Sequence, residues 1–432
     1  MRLLHISDWH LGVTLGRVSR APDHDEVLAE IIEIARAARP TLIVHTGDLF
    51  HHPRPGVEDL RRGMAALGDL AAVAPVVVLA GNHDSPALFE LFEQILRLGR
   101  SEVSSRLRFV PRARPPEDGG ILSFPGDASG GAEEVRLAPL PFVHPNALLD
   151  VFKVSPERWT ADYADQVQLV EEALGKGLAD GYDPNRHILL FAAHLYVGGA
   201  TWSRSERPLH VSETYTTTVN HLPPVTYAAF GHIHRPQPLP GGLVTGRYAG
   251  SPIPIDFGEE GEQKSVVLVD AEPGRPAHVE VVPLTGGRPL WRMTGRLDAL
   301  ARLAPEVGRA IASVTVDTDQ PTPDLYDQVA ALLPKATLLD VQERCAATTI
   351  EVIAAAPDGP EPTVRELFQE YLGQGRLRGA GIAQALRVFD TLLEAAEAET
   401  AATFAEEALF VTEAPSGGGR GSGETQTREA GA

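Results

Sequence analysis

The 432-residue chain has a single cysteine, Cys345, so neither a disulfide scaffold nor a thiolate metal cluster is open to it, and a reducing cytoplasm is the expected setting. No apolar run approaches the roughly 20 residues of a membrane span. The N-terminus enters a strand-like run, residues 1–6, where a secreted protein would carry a signal-peptide core. There is no Gly-x-x-x-x-Gly-Lys-Ser/Thr loop, so a phosphate-loop nucleotide site is not expected in this chain. Positive charge is scarce: 38 Lys and Arg against 58 Asp and Glu leave a net charge of −20, which argues against a protein that coats nucleic acid by bulk charge. What remains is an ordinary globular composition, 43 % hydrophobic and 22 % charged, over a length that suits several domains.

Short apolar runs alternate with helical periodicity from the start. Leu3–Ile6, Leu42–Val44 and Val76–Leu79 read as buried strands, with helices over Asp25–Ala38 and Val57–Val73 between them and Asp23 and Asp25 as caps. This βαβαβ pattern predicts a parallel sheet covered by helices, an α/β fold. Further strands are expected at Ile121–Phe124, Val135–Leu140, His187–Ala193, Tyr227–Phe230 and Ser265–Val269, with a helix around Asp162–Leu178. Residues 1–283 form the expected main domain and 284–355 a small α/β capping domain. A Pro/Gly-rich linker, residues 356–362, leads to a helical segment over 362–413. From Asp390 to Glu413 that segment has seven acidic residues and no Lys or Arg; residues 414–432 form a Gly/Ser-rich tail expected to be disordered.

Five clusters of metal-capable residues follow five of these strands: Ser7-Asp8-Trp9-His10, Thr46-Gly47-Asp48, Gly81-Asn82-His83-Asp84, His194, and Gly231-His232-Ile233-His234. Loops beyond the carboxyl ends of strands in an open α/β sheet converge on one crevice. Asp8, His10, Asp48, Asn82, His194, His232 and His234 are therefore expected together. The spacing of two in Asp8-x-His10 and His232-x-His234 points each pair one way along extended backbone, and the glycines before Asp48, Asn82 and His232 allow sharp turns. This mixed N/O set suits Mn²⁺, Fe²⁺ or Zn²⁺ better than Ca²⁺. Seven donors are too many for one tetrahedral ion and about right for two, the usual arrangement for in-line displacement at phosphorus.

In this order the motifs resemble the calcineurin-like metallophosphoesterase superfamily. The longer runs Leu4–Gly12, Gly81–Ser85, Gly231–Gln237 and Tyr248-Ala249-Gly250-Ser251-Pro252-Ile253-Pro254 are similar to its SbcD-type nucleases. The resemblance covers about residues 1–269. It implies that Asp8, His10 and His234 hold one ion and Asn82, His194 and His232 the other, with Asp48 bridging and Mn²⁺ as the metal. It further implies that His83 faces the substrate as a proton or hydrogen-bond donor oriented by Asp84, and that His51 lies near the scissile phosphate; whether His51 or His52 faces the site stays open. The implied activity is 3′→5′ exonuclease and hairpin or single-strand endonuclease action on double-stranded DNA ends. The implied partner is an SbcC-like coiled-coil ABC ATPase, in an assembly containing a homodimer of this chain, cytoplasmic and nucleoid-associated when on DNA.

Plainer readings stand beside these. His5, His24, His45, His144, His187, His210, His221 and His278 are read as structural or solvent-exposed, and Trp9 as a packing residue. The segment Arg97–Arg114, with six arginines and one acid, is either a phosphate-tracking stretch or a solvated connector. The same metal core would also serve a metallophosphatase or small-substrate phosphodiesterase, against which the absence of an Asp-Arg-Gly box after Gly47-Asp48 and the added C-terminal domains argue. A non-catalytic scaffold would be expected to lack a ligand or His83, and none is missing. Ile382, Leu386, Phe389, Leu392 and Leu393 recur at helical spacing, as a docking helix for the ATPase would require.

Overall fold

Strands that are apolar on both faces must be covered on both faces, and this sets the architecture. The computed structural model describes residues 1–99, 101–126, 132–143, 163–203, 216–217, 221–347, 364–374 and 380–397. His144, His210, the linker at 356–362 and the tail at 414–432 lie outside them. The chain divides into two units, Met1–Thr349 and Ile350–Ala432. Among the described residues no helix is long and apolar enough to cross a membrane.

In chain order the first unit builds β1 (Arg2–Ile6), α1 (Ala21–Ala38), β2 (Leu42–His45), α2 (Val57–Val73), β3 (Val76–Leu79), α3 (Pro86–Leu98), α4 (Glu102–Arg106) and β4 (Leu107–Val110). Then come β5 (Leu122–Pro125), β6 (Glu134–Leu140), α5 (Tyr163–Ala179), β7 (His187–His194), β8 (Tyr227–Gly231), β9 (Gln237–Pro238), β10 (Gly246–Tyr248), β11 (Ser265–Asp270) and β12 (His278–Pro283). The single sheet expected from the sequence is in fact two, of order β12-β11-β1-β2-β3-β4 and β9-β10-β8-β7-β6-β5. Within each, the central strands that bear the polar clusters run parallel.

The period of two in the strands explains the layering. Leu4, Ile6, Ile43, Val76 and Val78 pack against Val27, Ile31 and Leu67 of α1 and α2. Their alternates Leu3, Val44, Val77 and Leu79 pack against Ile188, Leu190, Tyr227 and Ala229 of the second sheet. The remaining face of that sheet, Leu189, Phe191 and Phe230, is covered by Val170 and Leu174 of α5. The result is a four-layer α/β/β/α sandwich. Asp23 does not cap α1, which begins at Ala21; its carboxylate instead accepts from the buried Arg20 at 2.8 Å and from Arg288 at 2.7 Å.

After β12 the chain is tied to α1, with the Thr285 and Gly286 amides donating to Glu30. It then forms β13 (Leu290–Gly295), α6 (Leu297–Val307), β14 (Ile311–Thr318), α7 (Leu325–Leu332) and β15 (Thr337–Cys345), a parallel three-stranded sheet with its own core of Met293, Leu300, Val314 and Val329. In the second unit, α8 (Val364–Gln374) and α9 (Ala380–Glu397) meet through stacked Phe368 and Phe389 rings, 4.2 Å apart, and an Arg365–Asp390 ion pair at 2.6 Å.

One carboxylate in the α5 layer makes stability depend on pH. Glu171 is fully buried, and its two oxygens share the one hydroxyl of Thr217 at 3.0 and 2.8 Å. Burial pushes its pKa from an ordinary 4.5 up to about 8, with the Thr217 hydrogen bond opposing. The folded state then keeps a proton that the unfolded chain releases, so stability falls as pH rises from the ordinary carboxylate range towards about 8 and is level above it. Glu171→Gln should raise the thermal midpoint by several degrees at about pH 8 and far less at about pH 5. Calorimetry at both pH values checks this; equal shifts would discard protonation as the cause.

Candidate metal centre

The five polar clusters lie at the carboxyl ends of β1, β2, β3, β7 and β8 as expected, with His194 the last residue of β7, but Asp8-x-His10 and His232-x-His234 are not extended. Asp8 (φ 51°), His10 (φ 47°), Asp48 (φ 53°) and His232 (φ 94°) all lie in the left-handed region. Such conformations are costly for non-glycine residues and persist only where the surroundings over-determine them. Here the first two loops clasp each other: the amides of Asp8, His10 and Leu11 donate to the carbonyls of Gly47, Asp48 and Leu49, each at 3.0 Å. Gly81 serves close approach more than turning, because a Cβ there would collide with the Asp48 carboxylate.

The seven expected donors converge. Asp8, His10, Asp48 and His234 form one group whose donor atoms all lie within 4.8 Å of one another; Asp48, His194 and His232 form a second. Asp48 belongs to both, with Oδ2 at 3.5 Å from His10 Nε2 and 3.4 Å from His194 Nε2. Asn82 Oδ1 lies 2.9 Å from both His194 Nε2 and His232 Nδ1. His10 Nε2 and His234 Nε2 face each other at 3.0 Å.

The surroundings suit cations. Asp8, His10, Asp48 and His194 are at most 1 % exposed. Among the described residues no lysine or arginine pairs with Asp8 or Asp48, and a bound metal ion is one way in which such buried carboxylates are compensated. Burial pushes Asp8 up to about 6. Burial alone would raise Asp48 too, but the imidazoles of His194, His83 and His10 hold it well below the usual range. His194, which burial would lower, is lifted to about 9 chiefly by Asp48. Two imidazoles have their tautomers set from behind: His194 Nδ1 donates to the Thr46 carbonyl at 2.8 Å and His234 Nδ1 to Glu259 Oε1 at 2.9 Å, so both Nε2 atoms present lone pairs to the cluster when the rings are neutral. This donor set fits a dinuclear metal site.

Three further histidines sit at the rim. His10, His51 and His83 form a third group of converging nitrogens, and His52 is exposed beside it, so it is His51 that meets the cluster. His83 Nδ1 donates to the His51 carbonyl at 2.8 Å and its amide donates to Asp48 Oδ1 at 2.8 Å; the His51 and His83 rings stack at 5.3 Å. Asp84, expected to orient the His83 ring, instead spends its oxygens on the amides of Leu49, Phe50 and Gly81 at 2.9 to 3.1 Å. It fastens the Asp48 loop to the Asn82 loop and acts on His83 only through the backbone. Of the histidines read as structural, His5 bridges Tyr227 and Thr46, and His24 donates to the Trp9 carbonyl.

Glu259 was not among the expected residues. It is fully buried, and beside His234 it accepts from Ser251 Oγ at 3.0 Å and Lys264 Nζ at 2.6 Å. Burial alone would raise its pKa; Lys264 and His234 hold it far below the ordinary range. Ser251 belongs to the Gly250-Ser251-Pro252-Ile253-Pro254 segment, whose place in the site is thus behind His234. No local pattern marks Glu259; only the Ser251 segment hinted at its neighbourhood. Glu259→Gln keeps the volume but weakens the acceptor behind His234, and the expected result is about 10- to 100-fold weaker Mn²⁺ affinity with the fold intact. Titration calorimetry of metal binding checks it, and unchanged affinity would leave Glu259 a purely structural group.

The chain is similar to known proteins over this region. The calcineurin-like phosphoesterase family profile matches residues 1–236. The SbcD subunit of the Bacillus subtilis SbcCD nuclease is 33 % identical over 69 % of this chain and 73 % of its own length. The corresponding SbcCD nuclease subunit of Escherichia coli K12 is 26 % identical over 91 % and 98 %, and that of Rhodobacter capsulatus 31 % over 70 % and 76 %.

Proposed function

Because the chain belongs to the calcineurin-like phosphoesterase family, we propose that it cleaves the phosphodiester bonds of DNA ends with two metal ions, as a double-strand 3′→5′ exonuclease and hairpin or single-strand endonuclease. It is a metal-dependent nuclease. The observation that carries the two-ion reading is the position of Asp48, shared between the two donor groups. In this reading Asp8, His10 and His234 hold one ion, Asn82, His194 and His232 the second, and Asp48 both. Two bound divalent cations, with Mn²⁺ as the proposed metal, supply Lewis acidity toward phosphoryl oxygens and lower the pKa of water.

The protein's own groups divide the remaining work. The His51 carbonyl can only accept, so His83 Nδ1 carries a hydrogen and Nε2 is left to exchange a proton with the leaving oxygen. Asp84 keeps the Asp48 and Asn82 loops in register. His51 stacks on His83 and in this reading would lie beside the scissile phosphate.

The proposed partner is an SbcC-type coiled-coil ABC ATPase, since the chain has no phosphate loop of its own. It would meet α9, on which Leu392 is exposed. A second copy is the proposed partner of α3, whose Leu91, Ile95 and Leu98 are exposed at helical spacing. Domain roles are proposed as at the outset: residues 1–283 cut, 284–355 cap the DNA, and 362–413 dock the ATPase.

The deciding experiment compares hydrolysis of a hairpin duplex and of p-nitrophenyl phosphate in Mn²⁺, by the full chain with and without the co-purified ATPase. Cleaved hairpin with little phosphatase turnover supports the nuclease reading. The reverse pattern would favour a metallophosphatase.

A further inference from the structure

The first sheet ends at β4, and the open side of that strand is the wall of a cavity of about 510 Å³. The ends of α3 and α4 close it on one side, and the 111–120 loop and β5 on the other. Arg97, Arg108, Arg112 and Arg114 line it against one carboxylate, Glu93. That carboxylate is already engaged: its Oε1 accepts the Phe109 amide at 2.6 Å, which caps the strand edge.

The arginines are poorly neutralised. Arg112 pairs with Glu90 at 3.0 Å and Arg97 reaches Glu93 only at 3.8 Å. Arg108 and Arg114 are exposed, and neither has an acidic partner among the described residues. In a chain of net charge −20 this is a local reversal of sign, and like charges are kept close only at a cost in self-repulsion.

Its position gives that reversal a use. β4 runs parallel to β3, and the Ala80 amide donates to the Val110 carbonyl at 3.0 Å. The chain therefore leaves β4 towards Arg112 and Arg114 at the same end of the sheet as the Gly81–Asp84 loop, one strand further along the row. Guanidinium forks match phosphate oxygens in pairs. The aromatic ring in the lining, Phe109, is buried and offers no platform for a base. Such a surface holds a strand by its backbone and is indifferent to sequence.

We propose that this arginine-lined cavity binds backbone phosphates of a nucleic-acid strand as it passes the metal centre, an inference that rests on the nuclease reading. The test is the double variant Arg108→Ala/Arg114→Ala in the full chain. Duplex binding is followed by fluorescence anisotropy across a salt series with the metals chelated, and bis-p-nitrophenyl phosphate hydrolysis is followed separately in Mn²⁺. The expected result is weaker duplex binding, with the slope of log K against log salt shallower by about two, roughly one per lost phosphate contact, and unchanged turnover of the small diester. An unaltered slope overturns the proposal. So does wild-type chain that shows no affinity for duplex at low salt, or a variant that keeps its slope but loses co-purification with the ATPase, which would assign the cavity to an acidic protein surface. Wild-type chain that binds duplex with the steeper slope yet cleaves no DNA in Mn²⁺ would instead remove the nuclease reading and leave the cavity as a phosphate site.

Discussion

Asp48→Ala is expected to abolish Mn²⁺-dependent phosphodiester hydrolysis, a loss on the order of 10³-fold or more. The residue is the one member common to the two main donor groups, 3.5 Å from His10 Nε2 and 3.4 Å from His194 Nε2. Its other oxygen accepts the His83 amide, so alanine also releases the loop that carries His83. Asp48→Asn separates the two effects, because it can keep an acceptor for that amide while losing the charge. Both variants should be inactive, and calorimetric titration should show fewer than two Mn²⁺ bound in each. Retained activity in Asp48→Ala would remove the two-ion reading.

His83→Ala should lower kcat by roughly 10²- to 10⁴-fold, the usual range for a group that moves a proton in the transition state. Mn²⁺ binding should survive, because His83 reaches the donor groups through its backbone amide and a ring-edge contact with His10 and is absent from the two groups that share Asp48. Rapid-quench kinetics alongside metal titration separate the two outcomes. A variant with wild-type kcat would sink the assigned proton role; one that has lost its metals would make His83 part of the metal-holding framework.

Much of the centre was legible because each donor follows a strand. An apolar run that ends abruptly in Asp, Asn or His announces a loop at a sheet edge, and five such endings in one chain have few explanations. The conformations of those endings were not legible. Asp8-x-His10 has the spacing of extended backbone, yet both residues are left-handed, because the amides of this loop are taken by carbonyls of the Asp48 loop some forty residues away. The second sheet was hidden for a related reason. A strand such as His187–His194 is buried on both faces, and its composition does not say whether a helix or another sheet covers it. β4 was missed because Leu107-Arg108-Phe109-Val110 lies inside an arginine-rich stretch, where charge obscured the alternation. α3 carries its own signals, Ser85 accepting the Leu88 amide and Pro86 in the first turn, but they directly abut the Gly81–Asp84 motif, whose polar residues mask the start of a helix. Glu259 meets His234 across 25 residues of chain, a distance at which no periodicity operates.

The donors come from both layers of the sandwich: Asp8, His10, Asp48 and Asn82 follow strands of the first sheet, while His194 ends one strand of the second and His232 and His234 follow another. Cations held among them would therefore rivet one sheet to the other, and only in the folded chain. Mass action then makes the metal a thermodynamic ligand of the native state, worth about 1.4 kcal/mol for every tenfold by which its free concentration exceeds Kd. Metal supply would then tune the stability of the fold as well as its chemistry.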